Sequence, residues 1–197
     1  MERNGGYSNS LGPEFTDQGQ EQRILNLELA SQVVNKLRQG GLFITTVESC
    51  TGGGLANAIT NISGASEIIK GAFVTYSNEQ KIALGVPREI IDQYTVYSTQ
   101  TAEAMARTGL KAAAKADIAV GITGSISRID PANPNSVPGT IYVAAVSHDA
   151  SLTQVLKFTS GERWEIKEQV IGEALKMVLS ILNSANNGPH DQENLTN

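Results

Sequence analysis

The sequence predicts an α/β protein of three layers, in which helices cover both faces of a mixed sheet of about five strands. Segments with apolar residues at helical spacing alternate along the chain with short runs rich in β-branched residues. Near the end, two apolar runs at 140–147 and 152–158 are separated by a polar turn, which is typical of an antiparallel hairpin. Strands that alternate with helices tend to pair in parallel, whereas the two hairpin strands pair antiparallel, so we expect a mixed sheet.

Each expected element has a local signal. In chain order we expect helix 21–39, strand 42–47, helix 51–60, strand 71–76, helix 78–84, a helix from Pro87, helix 98–115, strand 118–122, the hairpin strands and a last helix 162–183. Gly40-Gly41 ends the first helix, Pro87 suits a first helical turn and Ser98 is a helix N-cap. Residues 124–138 form a long loop with three prolines, and long loops in compact domains often carry function.

The chain has the length of one folded domain. It contains 197 residues, of which 40% are hydrophobic, enough for a substantial core. Residues 1–20 and 185–197 are polar and without periodicity, so we expect a disordered tag or linker at the start and a disordered tail at the end. The folded body is expected over residues 21–184.

Charge and composition exclude several classes of function. The net charge is -5 without a basic cluster, which argues against a nucleic-acid partner. No apolar run reaches the length of a membrane span, so no membrane partner is expected. The single cysteine, Cys50, rules out an intramolecular disulfide and suits a cytoplasmic protein. His148 and His190 are poorly placed for a metal site, and we expect neither a metal nor a cofactor.

A serine lies in the turn between the first strand and the next helix. The turn reads Glu48-Ser49-Cys50-Thr51-Gly52-Gly53-Gly54. Free amides at a helix start favour negative charge, and glycines let the backbone approach a ligand. Ser49 is therefore a candidate nucleophile beside donors for an oxyanion. The alternative is a capping serine with glycines that ease a tight turn.

A serine nucleophile requires a base, and the histidines are badly placed for that role. Tyr76, Asn78 and Lys81 cluster where the second strand ends, and ligands of α/β sheets bind at such ends. Lys81 can serve as a base if partial burial or a neighbouring cation lowers its pKa. The alternatives are an ordinary surface lysine and a tyrosine at the rim.

Four further residues are candidates. Thr123 and Gly124 follow the third strand, where they form either a simple turn or part of the site. Arg163 begins the last helix and opposes the helix dipole, so it either clamps a phosphate or covers Trp164. Cys50 is either an alternative nucleophile or a small core residue.

Several segments together resemble the CinA C-terminal domain family. The matching segments are 48–53 (Glu-Ser-Cys-Thr-Gly-Gly), 64–66 (Gly-Ala-Ser), 74–81 (Val-Thr-Tyr-Ser-Asn-Glu-Gln-Lys), 84–87 (Leu-Gly-Val-Pro), 120–124 (Val-Gly-Ile-Thr-Gly), 138–142 (Pro-Gly-Thr-Ile-Tyr) and 161–163 (Gly-Glu-Arg). They occur in the family's order and cover residues 24–182, the whole expected folded body.

The resemblance implies an activity and roles for residues. Characterised members hydrolyse nicotinamide mononucleotide to nicotinate mononucleotide and ammonia. By resemblance Ser49 is the nucleophile, Lys81 its activating partner and Tyr76 a member of the same cluster. Thr123 and Arg163 match positions important to the family's site. The resemblance also implies no metal, a mononucleotide substrate and a homodimer or larger homo-oligomer.

These roles combine into one expected chemistry. Lys81 or Tyr76 takes the proton of Ser49, which attacks the amide carbon of the substrate. Backbone amides near Cys50, Thr51 and Gly52 are expected to hold the oxyanion.

One segment departs from the family pattern. Members usually carry Ala-Gly-Pro and a glycine-rich loop after the Thr-Gly pair, whereas this chain has residues 125–138 with Arg128 and with Ser136 in place of a lysine. This bulkier loop is expected to border the pocket and to reshape it. The alternative to retained amidase activity is therefore a catalytically silent or altered-substrate nucleotide-binding protein.

Overall fold

The computed structural model describes residues 17–186, and its side chains over residues 19–184. The elements are α1 Asp17–Gly40, β1 Ile44–Glu48, α2 Gly54–Thr60, β2 Phe73–Val74, α3 Asn78–Leu84, α4 Arg88–Tyr94, α5 Thr99–Ala112, β3 Ile118–Ser125, β4 Thr140–Ser147, β5 Ser151–Lys157 and α6 Arg163–Asn186, with a 3₁₀ turn at Ala65–Glu67. Helices and strands thus follow the predicted order.

The five strands form one mixed sheet in the order β2-β1-β3-β4-β5. β1 lies between β2 and β3 and is parallel to both. β4 and β5 continue the sheet with antiparallel pairing, as the hairpin pattern predicts. The predicted mixed sheet of about five strands is therefore confirmed.

Helices cover both faces of this sheet. The larger core packs α1, α2 and α6 against one face and includes Leu37, Ile122 and Leu175, all fully buried. On the other face α5 lies directly on β3, because a Cβ at Gly121 would overlap the carbonyl oxygen of Ala102. The predicted three-layer α/β/α architecture is confirmed.

Two strands differ in length from the prediction. β2 covers only Phe73–Val74, although the sequence predicts a strand over 71–76. It is an edge strand, and at Gly71 the carbonyl accepts the hydroxyl of Thr45 instead of a ladder amide. β3 extends to Ser125, beyond the predicted end at 122, because β4 keeps pairing with it after β1 has ended.

The boundaries of the folded body also differ slightly. α1 begins at Asp17, so residues 17–20 are helical rather than disordered, and α6 continues to Asn186. The first turn of α1 packs on α6, since a Cβ on Gly19 would overlap the ring of Trp164. The expected disorder of residues 1–16 and 187–197 lies outside the described residues.

No helix within residues 17–186 is both long enough and apolar enough to cross a lipid bilayer.

Candidate active site

The candidate site is a cavity of about 220 Å³ at the edge of the sheet where the parallel strands β2, β1 and β3 end. Its lining residues are Ser49, Cys50, Tyr76, Tyr97, Gly124, Ser125, Ile126, Ser127, Arg128, Asp130, Pro131 and Arg163. In α/β sheets ligands bind outside the carboxyl ends of the strands. The cavity therefore lies where the fold most often places a ligand.

Ser49 is the first residue after β1. Its backbone N–H donates to the carbonyl of Ile122 at 3.0 Å, which continues the pairing of β1 with β3 by one step. The residue is buried, yet it lines the cavity. The sheet therefore fixes the backbone of Ser49 and leaves its side chain at the cavity wall.

Lys81 lies beside this serine. Its Nζ donates to Oγ of Ser49 at 3.1 Å and to the carbonyl of Thr75 at 2.8 Å. The residue is only 1% exposed, and burial lowers the pKa of its amine from 10.5 to about 8. The structure thus brings the predicted nucleophile and base into contact, and it makes Lys81 a buried amine rather than a surface one.

Glu48 occupies the start of α2. Its carboxylate accepts the backbone amides of Gly53 at 3.1 Å, of Leu55 at 3.1 Å and of Ala56 at 2.9 Å. The Thr46 hydroxyl also donates to it. The prediction that this helix start is open to a substrate anion is therefore wrong, because a buried carboxylate of the chain itself satisfies those amides.

Fewer amides remain for an oxyanion than expected. The N–H of Gly52 already donates to the carbonyl of Ser49 at 3.0 Å, and that of Gly53 to Glu48. Within the described residues, the N–H groups of Cys50 and Thr51 donate to no other residue. The hydroxyl of Thr51 is also buried and has no hydrogen-bond partner among the described residues. Of the three residues predicted to supply oxyanion donors, Cys50 and Thr51 therefore keep N–H groups without another acceptor, and Cys50 lies in the cavity lining.

Cys50 is a buried member of the larger core, although it contacts the cavity. Burial raises the pKa of its thiol from 9.0 to about 12. Since the thiolate is the nucleophilic form, this position favours Ser49 over Cys50.

Arg163 spans the mouth of the cavity. Its Nη2 donates to the hydroxyl of Tyr76 at 3.0 Å, and its Nη1 donates to Oγ of Ser127 at 3.2 Å. The ring of Trp164 instead has the guanidinium of Arg23 at 5.4 Å from its centre. Tyr76, which is 63% exposed, therefore contacts Arg163 at the rim rather than the Ser49–Lys81 pair.

The remaining predicted residues divide. Gly124 lines the cavity, near the end of β3. Thr123 lies outside the cavity lining and is fully buried, and its hydroxyl donates to the carbonyl of Val96 at 2.9 Å. Asn78 begins α3, half-buried and outside the cavity lining. Thr123 therefore has a structural hydrogen bond instead of a place in the cavity lining, and Asn78 makes no contact with the cavity lining in the part of the chain that the structure describes.

Sequence analysis did not single out Lys167, a cation near the Gly52 turn that lies outside the cavity lining. It lies one helical turn after Arg163, half-buried, and a Cβ on Gly52 would lie 3.5 Å from its Nζ. The i, i+4 spacing of two cations at the start of α6 was the available signal. Within residues 17–186 there is no cluster of three or more His, Cys, Asp or Glu side chains that could bind a metal ion.

The match to a known family covers this whole arrangement. The family model described as CinA C-terminal domain matches residues 26–182, which include every cavity residue. The chain belongs to the CinA C-terminal domain family.

Relatives within this family include named amidohydrolases and proteins with less specific names. The nicotinamide-nucleotide amidohydrolase PncC of Pseudomonas putida is 36% identical over 154 residues, covering 78% of this chain and 94% of that protein. PncC of Escherichia coli K12 is 38% identical over 152 residues, covering 76% and 90%. A CinA-like protein of Flavobacterium psychrophilum is 35% identical over 144 residues, and the match spans 34% of its length. The chain thus spans about a third of such longer relatives.

Solved structures agree with the fold. A competence/damage-inducible protein from Agrobacterium tumefaciens superposes with a TM-score of 0.73 at 32% identity, covering 81% of this chain and 96% of that one. A competence or damage-inducible protein from Enterobacter asburiae gives 0.73 at 30% identity, covering 80% and 98%.

Proposed function

We propose that this chain hydrolyses the carboxamide of nicotinamide mononucleotide to nicotinate mononucleotide and ammonia. The observation that carries the proposal is the 3.1 Å contact between Nζ of Lys81 and Oγ of Ser49 at the cavity wall. Amidohydrolases among the relatives, at 36% and 38% identity, supply the substrate class.

The first half of the reaction acylates the serine. Neutral Lys81 takes the proton of the Ser49 hydroxyl while Oγ attacks the amide carbon, and the N–H groups of Cys50 and Thr51 hold the oxyanion. The carbonyl of Thr75 accepts a second hydrogen of the amine and fixes its direction. Protonated Lys81 then gives its proton to the leaving nitrogen, ammonia departs, and an ester to Ser49 remains.

The second half releases the acid. Lys81, neutral again, takes a proton from a water molecule that attacks the ester carbon. The carbon–oxygen bond to Ser49 breaks, the serine regains its proton through Lys81, and the carboxylic acid that forms loses its remaining proton to solvent and leaves as nicotinate mononucleotide. No further co-reactant is required.

The charge at the cavity mouth suits a phosphorylated substrate. Arg163 is bonded to two neutral hydroxyls and to no carboxylate within the described residues, so its charge is uncompensated. A guanidinium in this state binds phosphate well.

Ammonia release from nicotinamide mononucleotide tests the proposal. We expect turnover by the unchanged chain, loss of at least a hundredfold in Ser49→Ala, and retained turnover in Cys50→Ala. Ser180→Ala is the matched control, since this serine is exposed on α6 and lies outside the cavity lining.

Two outcomes would contradict the proposed amidase activity or its serine nucleophile. One is ammonia release that survives in Ser49→Ala. The other is a folded, unchanged chain that binds the mononucleotide without releasing ammonia, which would favour a silent binding protein. Release from a different carboxamide alone would point to an altered substrate.

A further inference from the structure

The loop between β3 and β4, residues 126–139, contributes one wall of the cavity and carries its own hydrogen bonds. Asp130 lies at its centre, where its carboxylate accepts the hydroxyl of Tyr97 at 2.8 Å, Nδ2 of Asn133 at 2.7 Å and the N–H of Ala132 at 3.0 Å. Its own N–H donates to Oγ of Ser136 at 2.9 Å. One acidic side chain therefore organises both limbs of a loop that lacks glycine over most of its length.

This wall is also tied to the sheet. Gly139 donates to the carbonyl of Ser125 at 2.8 Å, and Oγ of Ser125 donates to the carbonyl of Arg128 at 2.5 Å. On the other side, the segment that carries Tyr97 is held by the bond from Thr123 to the carbonyl of Val96. The backbone at Arg128 is thus fixed from two directions.

Arg128 lies on the same rim as Arg163. Ser127, its chain neighbour, accepts a hydrogen bond from Nη1 of Arg163, and both arginines line the cavity, one from this loop and one from the start of α6. Neither forms an ion pair with a carboxylate among the residues described. Asp130 is the one acidic residue in the cavity lining, and its oxygens already accept three hydrogen bonds.

We infer that Arg128 is a second phosphate contact, which binds a substrate phosphate together with Arg163 and is held in place by the Tyr97–Asp130 bond. The inference rests on the proposed function for its substrate, but not for its geometry. Two guanidinium groups on one rim match the several oxygens of a phosphate dianion, which one arginine alone leaves partly unpaired. The site thus selects phosphorylated over unphosphorylated compounds.

Calorimetric binding of ribose 5-phosphate, a probe without an amide, tests this inference apart from catalysis. In Arg128→Gln we expect the Kd to rise about tenfold, while ribose binds equally weakly to both proteins. Arg88→Gln is the matched control, because this substitution removes the same charge from an exposed residue outside the cavity lining. A change of less than twofold in Arg128→Gln would overturn the inference.

The role of the Tyr97–Asp130 bond has its own test. Tyr97→Phe removes that bond without changing any charge, and we expect the Kd for ribose 5-phosphate to rise about threefold. In the double variant with Arg128→Gln, the tyrosine change should add nothing further, because its effect acts through Arg128. Additive effects would show that Tyr97 does not position Arg128 and would overturn that part of the inference.

The two proposals fail in different ways. If nicotinamide mononucleotide is not hydrolysed but ribose 5-phosphate binds in an Arg128-dependent manner, the phosphate site stands and the amidase does not. If ammonia is released and Arg128→Gln binds the probe normally, the amidase stands and this inference is wrong.

Discussion

Nζ of Lys81 lies 3.1 Å from Oγ of Ser49, although 32 residues separate them in the chain. No carboxylate of the described residues pairs with this amine, and its second bond is to a neutral carbonyl, that of Thr75. Burial therefore lowers the pKa of Lys81 to about 8 without an ion pair to restore it. A substantial fraction of the amine is therefore neutral near physiological pH, and the neutral amine is the form that accepts a proton.

The activity should depend on pH through this amine. In the proposed mechanism Lys81 accepts a proton only when neutral, so kcat/KM for ammonia release should rise about tenfold per pH unit below about 8 and level off above it. Initial rates between pH 6 and 9.5 check this. Lys81→Arg should remain inactive over the whole range, since a guanidinium does not lose its proton there. A flat profile from pH 6 upward would argue against Lys81 as the base.

The same buried amine should cost stability at neutral pH. A folded-state pKa of about 8 against 10.5 unfolded corresponds to roughly 3 kcal/mol. Below pH 8 the charged amine is buried and this penalty is complete; it disappears as the pH rises from about 8 to 10.5. Lys81→Met removes the penalty but also two hydrogen bonds of about 1 kcal/mol each.

The variant should therefore be more stable than the unchanged chain by about 1 kcal/mol at pH 7, and less stable by about 2 kcal/mol at pH 10.5. Urea unfolding at both pH values measures the difference. Lys111→Met, at an exposed position of α5, should show no such reversal. The same sign of the difference at both pH values would contradict the expected linkage.

Glu48 should be among the most important single residues for stability. Glu48→Ala leaves three backbone amides and one hydroxyl without their acceptor in a buried place, and we expect a loss of about 3 kcal/mol in the free energy of unfolding. Denaturant titration followed by circular dichroism measures it. For comparison, Glu67→Ala removes only an exposed ion pair with Arg38 and should cost about 0.5 kcal/mol or less. Similar losses in both variants would disprove the capping role.

Local patterns were sufficient for the architecture, and they made Ser49 and Lys81 candidates, whereas their pairing was implied by the family resemblance. The periodicity of each segment depends on which face it buries, and the ends of parallel strands meet at one edge, so residues after β1 and β2 were expected to be neighbours. Strand lengths were less predictable, because Ser125 is in a strand only through its pairing with Thr140.

Contacts between distant segments account for the rest. The direction of the Glu48 side chain follows from the register of β1, and that register cannot be derived from the turn sequence alone. Asp130 contacts Tyr97 across 33 residues, and no local signal indicates that partner. No local signal indicates the partner of Thr123 either, because its hydroxyl donates to the carbonyl of Val96, 27 residues away in the chain.

The position of Tyr76 distinguishes two roles that the sequence left open. Its hydroxyl accepts Arg163, so Tyr76→Phe should release that arginine and raise KM for the mononucleotide about threefold, with kcat within twofold of the unchanged chain. A proton-transfer group would instead lose at least a hundredfold in kcat. Steady-state kinetics of ammonia release separate the two, with Tyr94→Phe as the control for the same substitution outside the cavity lining. If kcat falls at least a hundredfold in Tyr76→Phe but not in Tyr94→Phe, the base is Tyr76 rather than Lys81.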